Sequence, residues 1–434
     1  MKKAIIFLTS ILVFMGIFAP VGASALYNDQ VETETEIFYI ESLDTGTVLF
    51  EKNSLMRSAP ASLTKIVTAI VALENCPDLE TVITVKEECI RMLDGTGSSL
   101  AGLKPGEEIS MKNLLYCLLV SSANEASTVI ADYIGGGSVE TFVQMMNDTA
   151  KKIGCKNTSF KNPHGLDEDG HYSCAQDMAA FAKYAMKFPI FNEITDTEKY
   201  TLPATNLQDE RDLITTNKMK MKNVKEYYVP EVKGIKTGST TNAGRCIVTT
   251  ATKNGYSYLA VMMKGPFYDY DKDGYDENFA FMDCKAMLNW IFDNIRLKVV
   301  AEPTKIVTVV KVKRARKVDH LRLVPAENCV ALVPDNVDSS SVSIEPIPET
   351  LPESVAAPIK KGEVMGKAIV KYANSEIARV DLVAAEDVEL SYLLLVLIIL
   401  AVVLVVGGGV AYIYVKRSRS RKSIRQFKFT DIRR

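Results

Sequence analysis

Histidine is scarce in this chain. Three occur in 434 residues, at positions 164, 171 and 320, and they form no HExxH. No cysteine spacing resembles a zinc site either, so no zinc-hydrolase signature is present. A net positive charge is found only at the two ends. The net charge is −2, yet positions 416–434 hold nine basic residues against one acid, and Lys2 and Lys3 add two more. The stretch between therefore carries about −12, which disfavours nucleic acid as a partner. No internal repeat runs through the sequence, which sets aside repeat architectures. The eight cysteines (76, 89, 117, 155, 174, 246, 284 and 329) do not cluster as a small disulfide framework would. Cys117 and Cys246 sit inside apolar runs (LLYCLLV, RCIVTTA), where a small buried thiol fits well, so mostly free, buried cysteines are expected.

What is present begins with two apolar runs that do not belong to a globular fold. Residues 1–25, MKKAIIFLTSILVFMGIFAPVGASA, have a basic start, a hydrophobic stretch and a small-residue end at Ala23-Ser24-Ala25, which is the pattern of a secretory signal peptide. Residues 390–415, LSYLLLVLIILAVVLVVGGGVAYIYV, carry no charge and are long enough to span a bilayer. KRSRSRK follows at once, which places residues 416–434 in the cytoplasm as a basic tail. The expectation is a cell-membrane protein, single-pass, with residues 26–389 on the extracytoplasmic side.

Between these runs two textures are visible. The first covers residues 26–297. It opens with a hairpin around Asp44-Thr45-Gly46, passes through buried or amphipathic helices (62–75, 111–122, a third from Asn124, 138–154, 174–187), and continues into strands at 232–237, 244–253 and 256–265. Asn254-Gly255 between the last two strands is a strong hairpin signal. A helix over 277–295 closes this part. Strands joined by tight turns are antiparallel, so an α+β fold is expected, with an antiparallel sheet flanked by helices. The second texture, residues 298–388, consists of short strand-like runs, SVSIEP (341–346) among them, and reads as a small all-β sandwich, with the Pro- and Ser-rich stretch 339–358 as a long loop within it.

Three short patterns carry chemistry. Ser62 and Lys65 stand one helical turn apart in ASLTK, on one face and within hydrogen-bond reach. A lysine with a depressed pKa can take the proton from a serine nucleophile. Taken alone, a helix cap and a surface lysine are the plainer reading of the pair. Ser122-Ala123-Asn124 falls at the junction of two helices, where a cap is the plain reading. Lys236-Thr237-Gly238 ends a strand, where a polar strand end and a turn glycine are the plain reading. Together, in this order and in these contexts, the three are far more specific.

This set resembles the penicillin-binding proteins and class A β-lactamases. With the surrounding residues APASLTKIVTAIVALE, GLKPGEEISMKNLLYCLLVSSANEA, NPHGLDEDGHYSCAQDMA and GIKTGSTTNAGRCIVTTA, the chain looks like a D-alanyl-D-alanine carboxypeptidase of the low-molecular-mass penicillin-binding proteins, serine peptidase family S11. The resemblance covers roughly residues 35–388. It implies a penicillin-binding/β-lactamase-like domain followed by the β-domain, and an enzyme acting on peptidoglycan stem peptides, with β-lactams as covalent inhibitors and no cofactor or metal. By the same resemblance Ser62 is the nucleophile, Lys65 the general base and Ser122 a proton relay. Asn124, Lys236, Thr237 and Gly238 would bind substrate, and the backbone N–H groups of Ser62 and Ser239 would form the oxyanion hole.

Departures are small. SAN stands where SGN is commoner, Glu125 follows it, and a spanning helix stands where many relatives use an amphipathic anchor. His164 and His171 in the NPHGLDEDGHYS loop read as structural, with a part in positioning the deacylating water as the sharper alternative. Asp269, Asp271, Asp273 and Gly274 imitate the first half of an EF-hand loop, but position twelve is Ala280, so a solvated acidic turn is the better reading. Rival functions are a DD-endopeptidase, a weak β-lactamase, which lacks an identifiable deacylating glutamate here, and a non-catalytic wall-binding scaffold.

Overall fold

In this computed structural model the described residues are 27–430, except 273 and 373–374. They divide into two compact units between Ile295 and Arg296. The leader at 1–25 lies outside the described residues.

The first unit is built on a five-stranded antiparallel sheet. Its strands are β1 (Ile37–Ser42), β2 (Val48–Lys52), β3 (Val232–Thr240), β4 (Gly244–Lys253) and β5 (Tyr256–Gly265), in spatial order β2-β1-β5-β4-β3. The β4–β5 hairpin turns at Asn254 and Gly255, both with positive φ (54° and 85°), as the sequence pattern requires. Pairing β1 with β5 sets Ile37 opposite Met263, so the first strand of this sheet in chain order closes against its last. Both faces of the central strands are buried. Leu259, Val261 and Met263 face a core shared with helices α1 (Lys65–Asn75), α2 (Met111–Leu119), α3 (Asn124–Ile134), α4 (Val139–Ile153) and α5 (Ala175–Ala185). Alternate residues such as Tyr258 meet the closing helix Phe279–Asn294, where the rings of Tyr258 and Phe292 lie 6.0 Å apart.

Helix α1 touches all four of α2–α5 and buries eight consecutive residues, Lys65–Ala72. Such a helix is held by its surroundings rather than by one apolar stripe, each fully buried Val or Ile contributing about 1.5–3 kcal/mol. Helix α4 is terminated from its own sequence: Ser138 caps it by accepting from the Thr141 N–H at 3.1 Å, and Gly154 ends it at φ 92°. All eight cysteines are free, seven of them buried.

The second unit is all-β with two sheets. Strands β6 (Ile295–Ala301) and β9 (Cys329–Pro334) form a pair. A six-stranded sheet runs β10-β12-β13-β8-β7-β11, where β7 is Thr308–Lys313, β8 His320–Pro325, β10 Ser343–Pro346, β11 Ser354–Ala356, β12 Val364–Tyr372 and β13 Ser375–Ala384. The expectation of a loop over 339–358 is corrected here. That stretch supplies β10 and β11, the two edge strands, with β11 parallel to β7. Prolines remove a ladder donor and are tolerated at edges, which is why a Pro-rich segment pairs there and nowhere inside the sheet. After this unit comes one helix, Tyr392–Thr430, of which Val396–Arg419 is long and apolar enough to cross a membrane, with no part of its apolar window buried in the protein.

Candidate active site

Ser62 lies in a 3-10 turn, Ala61–Thr64, that leads straight into α1. In a 3-10 turn residues i and i+3 eclipse. That geometry brings the Lys65 ammonium to 2.8 Å from Ser62 Oγ. The turn is gripped from two sides. A Cβ on Gly238 of β3 would sit 3.0 Å from the Ser62 nitrogen and 3.0 Å from the Ala61 Cβ, and one on Gly165 would overlap the Ala61 carbonyl outright. Only glycine allows the approach at Gly165, which also has φ 90°, and at Gly238 any side chain would press on the turn. Ala61 itself is held at φ 49°, a conformation that costs a non-glycine residue about 1–2 kcal/mol. Ser62 is therefore placed by packing that overrides local preference.

Lys65 is fully enclosed, at 0% exposure. Besides Ser62 it donates to Asn124 Oδ1 at 2.5 Å and to the His164 carbonyl at 2.8 Å. Asn124 is the first residue of α3, and Ser122 precedes it at φ 61°, a second strained position beside the reacting groups. Burial pushes the Lys65 pKa well below the ordinary lysine value, the nearby Lys236 ammonium pushes it further down, and Glu125 opposes both. Lys236, on β3, is 1% exposed, and burial alone brings it down to about 7. Its ammonium donates to the Thr237 carbonyl at 2.9 Å.

The sequence motifs thus converge. Ser62, Ser122, Thr237, Gly238 and Ser239 line one cavity of about 320 Å³, with Lys65, Asn124 and Lys236 buried behind or beside it. Thr216, Arg245, Phe267 and Asp276 also line it and escaped the sequence reading. Arg245 carried a signal, since it stands in the quoted GRC segment just beyond KTG. Thr216 and Asp276 carried none.

The NPHGLDEDGHYS loop is structural in its contacts. The Lys161 N–H donates to His171 Nδ1, which leaves the hydrogen on Nε2 for Thr64 Oγ1 at 2.9 Å. Thr68 Oγ1 donates to the Pro163 carbonyl at 2.6 Å, and Asp167 accepts from Thr240 and from the Asn242 N–H. The loop thereby ties α1 to the β3–β4 turn. Burial lowers His164 to about 3 and His171 to about 4, so both rings are neutral at physiological pH. Glu125 Oε1 accepts from the N–H groups of Ala101 and Gly102, which pins the segment carrying Ser99, another pocket residue. In the acidic turn, carboxylate oxygens of Asp269, Asp271 and Glu277 come within 4.8 Å of one another.

Comparison with known proteins agrees with this geometry. Residues 24–266 match the peptidase S11 model, described as D-alanyl-D-alanine carboxypeptidase, and residues 298–390 match the C-terminal domain of penicillin-binding protein 5. The chain is 33% identical over 346 residues to the D-alanyl-D-alanine carboxypeptidase DacF of Bacillus subtilis, spanning 80% of this chain and 84% of that one. It is 27% identical to DacC of Escherichia coli, spanning 87% and 90%. Among solved structures, penicillin binding protein 5 from Haemophilus influenzae superposes with a TM-score of 0.60 at 25% identity, covering 83% of this chain and 98% of that one. The Streptomyces K15 DD-transpeptidase gives 0.53 at 25% identity, covering 60% and 97%. A cavity-lining serine held against a buried lysine on this sheet-and-helix frame, with an S11 match over more than half of the chain, has one reading: the chain is an enzyme and belongs to the peptidase S11 family of D-alanyl-D-alanine carboxypeptidases, among the penicillin-binding proteins.

Proposed function

We propose that this enzyme removes the terminal D-alanine from peptidoglycan stem pentapeptides through an acyl-enzyme on Ser62, and that penicillin acylates the same oxygen. The observation that carries the reading is the enclosed Lys65 ammonium 2.8 Å from Ser62 Oγ, with its pKa held low by burial and by Lys236. Unprotonated, Lys65 takes the Ser62 proton as the oxygen attacks the carbonyl of the penultimate D-alanine. The N–H groups of Ser62 and Ser239 receive the developing oxyanion. Ser122 passes a proton to the leaving D-alanine nitrogen as the C–N bond breaks. Asn124 orients Lys65 and the substrate backbone, and the Thr237 hydroxyl and the field of Lys236 favour the terminal carboxylate. Water then attacks the ester and restores Ser62. A β-lactam keeps its leaving group tethered, so its acyl-enzyme turns over slowly.

The reading extends to topology. The leader at 1–25 and the basic run after the apolar span support export, with the catalytic unit outside the cell and residues 416–434 inside. The unit beyond residue 297 is then a spacer between membrane and site.

The test is D-alanine release from diacetyl-Lys-D-Ala-D-Ala by the full-length protein in detergent, beside Ser62→Ala, with fluorescent penicillin labelling in parallel. Release and labelling that both vanish with Ser62→Ala are expected. Labelling without release points to a cross-linked substrate and an endopeptidase. Neither release nor labelling in the wild type overturns the proposal.

A further inference from the structure

The catalytic reading gives no work to the basic run KVKRARK, residues 311–317. It ends β7 and opens the turn into β8. Lys313, Arg314 and Lys317 are exposed there and engage no ion pair among the described residues. Exposed cations are ordinary on a protein surface, so what carries meaning is where these sit. The turn is stitched to the residues that lead into the apolar helix. Ala315 bridges Leu390. The Arg316 N–H donates to the Glu389 carbonyl at 3.1 Å, and the Ser391 N–H to the Arg314 carbonyl at 2.8 Å. On the other side of the same segment Val388 and Ile359 exchange N–H···O bonds of 2.9 and 3.0 Å. These backbone bonds hold the chain in the β-fold up to Ser391, and the helix begins at Tyr392, so the helix start is fixed against the turn with no free linker between them. Arg316 completes the junction. It pairs with Glu389 at 3.2 Å, and its guanidinium lies 5.7 Å from the Tyr392 ring centroid.

The stretch able to cross a membrane begins at Val396, one helical turn past Tyr392, or about 6 Å along the axis. A tyrosine there belongs at the level of the lipid headgroups, and the turn pinned beside it lies at the same level. The nearby carboxylates are already engaged, Glu389 by Arg316 and Asp319 by the His320 ring at 2.9 Å. We propose that Lys313, Arg314 and Lys317 form a docking surface for the anionic lipid headgroups of the outer leaflet, seating the C-terminal unit on the membrane where its helix enters. Charge complementarity and continuity with the span select this occupant. Headgroup phosphates are the anions that the helix brings within reach, and guanidinium and ammonium groups both donate to phosphate. The inference rests on the membrane-spanning reading above and adds to it. A spanning helix does not set its own tilt, whereas interfacial Tyr, Lys and Arg residues do, so the turn fixes the attitude of the unit to which it belongs.

The experiment places the full-length protein in nanodiscs of phosphatidylcholine or of phosphatidylglycerol. Acylation of each lysine by a water-soluble succinimidyl ester is then read by mass spectrometry. Acylation of Lys313 and Lys317 is expected to fall roughly 3- to 10-fold in the anionic discs, the scale of one charge held at an anionic surface, and to recover in high salt. Arg314→Gln with Lys317→Gln should restore acylation of Lys313 in the anionic discs, and should leave Tm and D-alanine release from the soluble tripeptide unchanged. Arg314→Lys with Lys317→Arg keeps the charge and should keep Lys313 protected. Equal acylation in the two kinds of disc overturns the inference, as does protection of Lys313 that survives the double glutamine variant. Protection in detergent by inorganic phosphate means a soluble-anion site and overturns it too. So does protection in detergent that grows with protein concentration, which means a second copy of this chain. A wild type that stays out of the discs overturns the spanning reading, and this one with it.

Discussion

In the catalytic unit two lysines are enclosed among hydroxyl, amide and carbonyl oxygens, with no carboxylate salt-bridged to either among the described residues. In the C-terminal unit, outside the basic run at 311–317, cations lie at the surface against carboxylates: Arg322 with Glu386 at 3.0 Å, Lys371 with Glu345 at 2.5 Å and Arg379 with Glu376 at 2.6 Å. Enclosing an ammonium without a counter-ion costs several kcal/mol after relaxation, and the protein answers by releasing the proton. A surface pair costs little and contributes little. The first arrangement sacrifices stability for a reactive amine. The second is what a chain does when a region has only to fold and stay soluble. Two of the residues at positive φ, Ala61 and Ser122, lie beside Lys65 and Asn124.

The comparison breaks most readily at Lys65. Lys65→Met should lower acylation on the order of 10⁴-fold, the upper end for a general base, while leaving thermal stability equal or higher because an unfavourable burial is removed. Labelling by fluorescent penicillin and a thermal melt check the two halves, and a fall in Tm would mean that Lys65 serves the fold.

A smaller effect sharpens the role of Lys236. Acylation needs Lys65 unprotonated, so the rate falls as pH falls through the Lys65 pKa, which burial first and Lys236 second hold below the ordinary lysine range. Lys236→Met removes the second cause, lets that pKa rise, and moves the acidic limb to higher pH. The pH profile of the second-order rate constant for penicillin acylation measures this. An unmoved limb would leave burial as the whole cause. Smallest of all, Arg322→Ala in the C-terminal unit should leave both D-alanine release and Tm within error, because the pair with Glu386 is exposed on both sides.

Much of this was readable in the chain. Helices with sustained apolar periodicity and the hairpin at Asn254-Gly255 were visible because their signals are local. The edge strand at Ser354–Ala356 was missed, since the prolines around it argue against a strand unless one knows the strand lies at an edge. Nothing near residue 37 announces that it pairs with residue 263. The site was legible in its named motifs, and Arg245 was passed over because its orientation on Phe267 depends on a turn more than twenty residues later.

By itself the sequence determined the reactive groups, their order, and the one-turn spacing of Ser62 and Lys65, because these follow from residue identity and helical geometry. The tertiary structure alone decided that the Lys65 pKa is held well below the ordinary lysine value. That requires enclosure by α3, β3 and the loop at His164, together with a second ammonium 171 positions away in the chain. A pKa is set by the surroundings of a group, and here distant segments supply them.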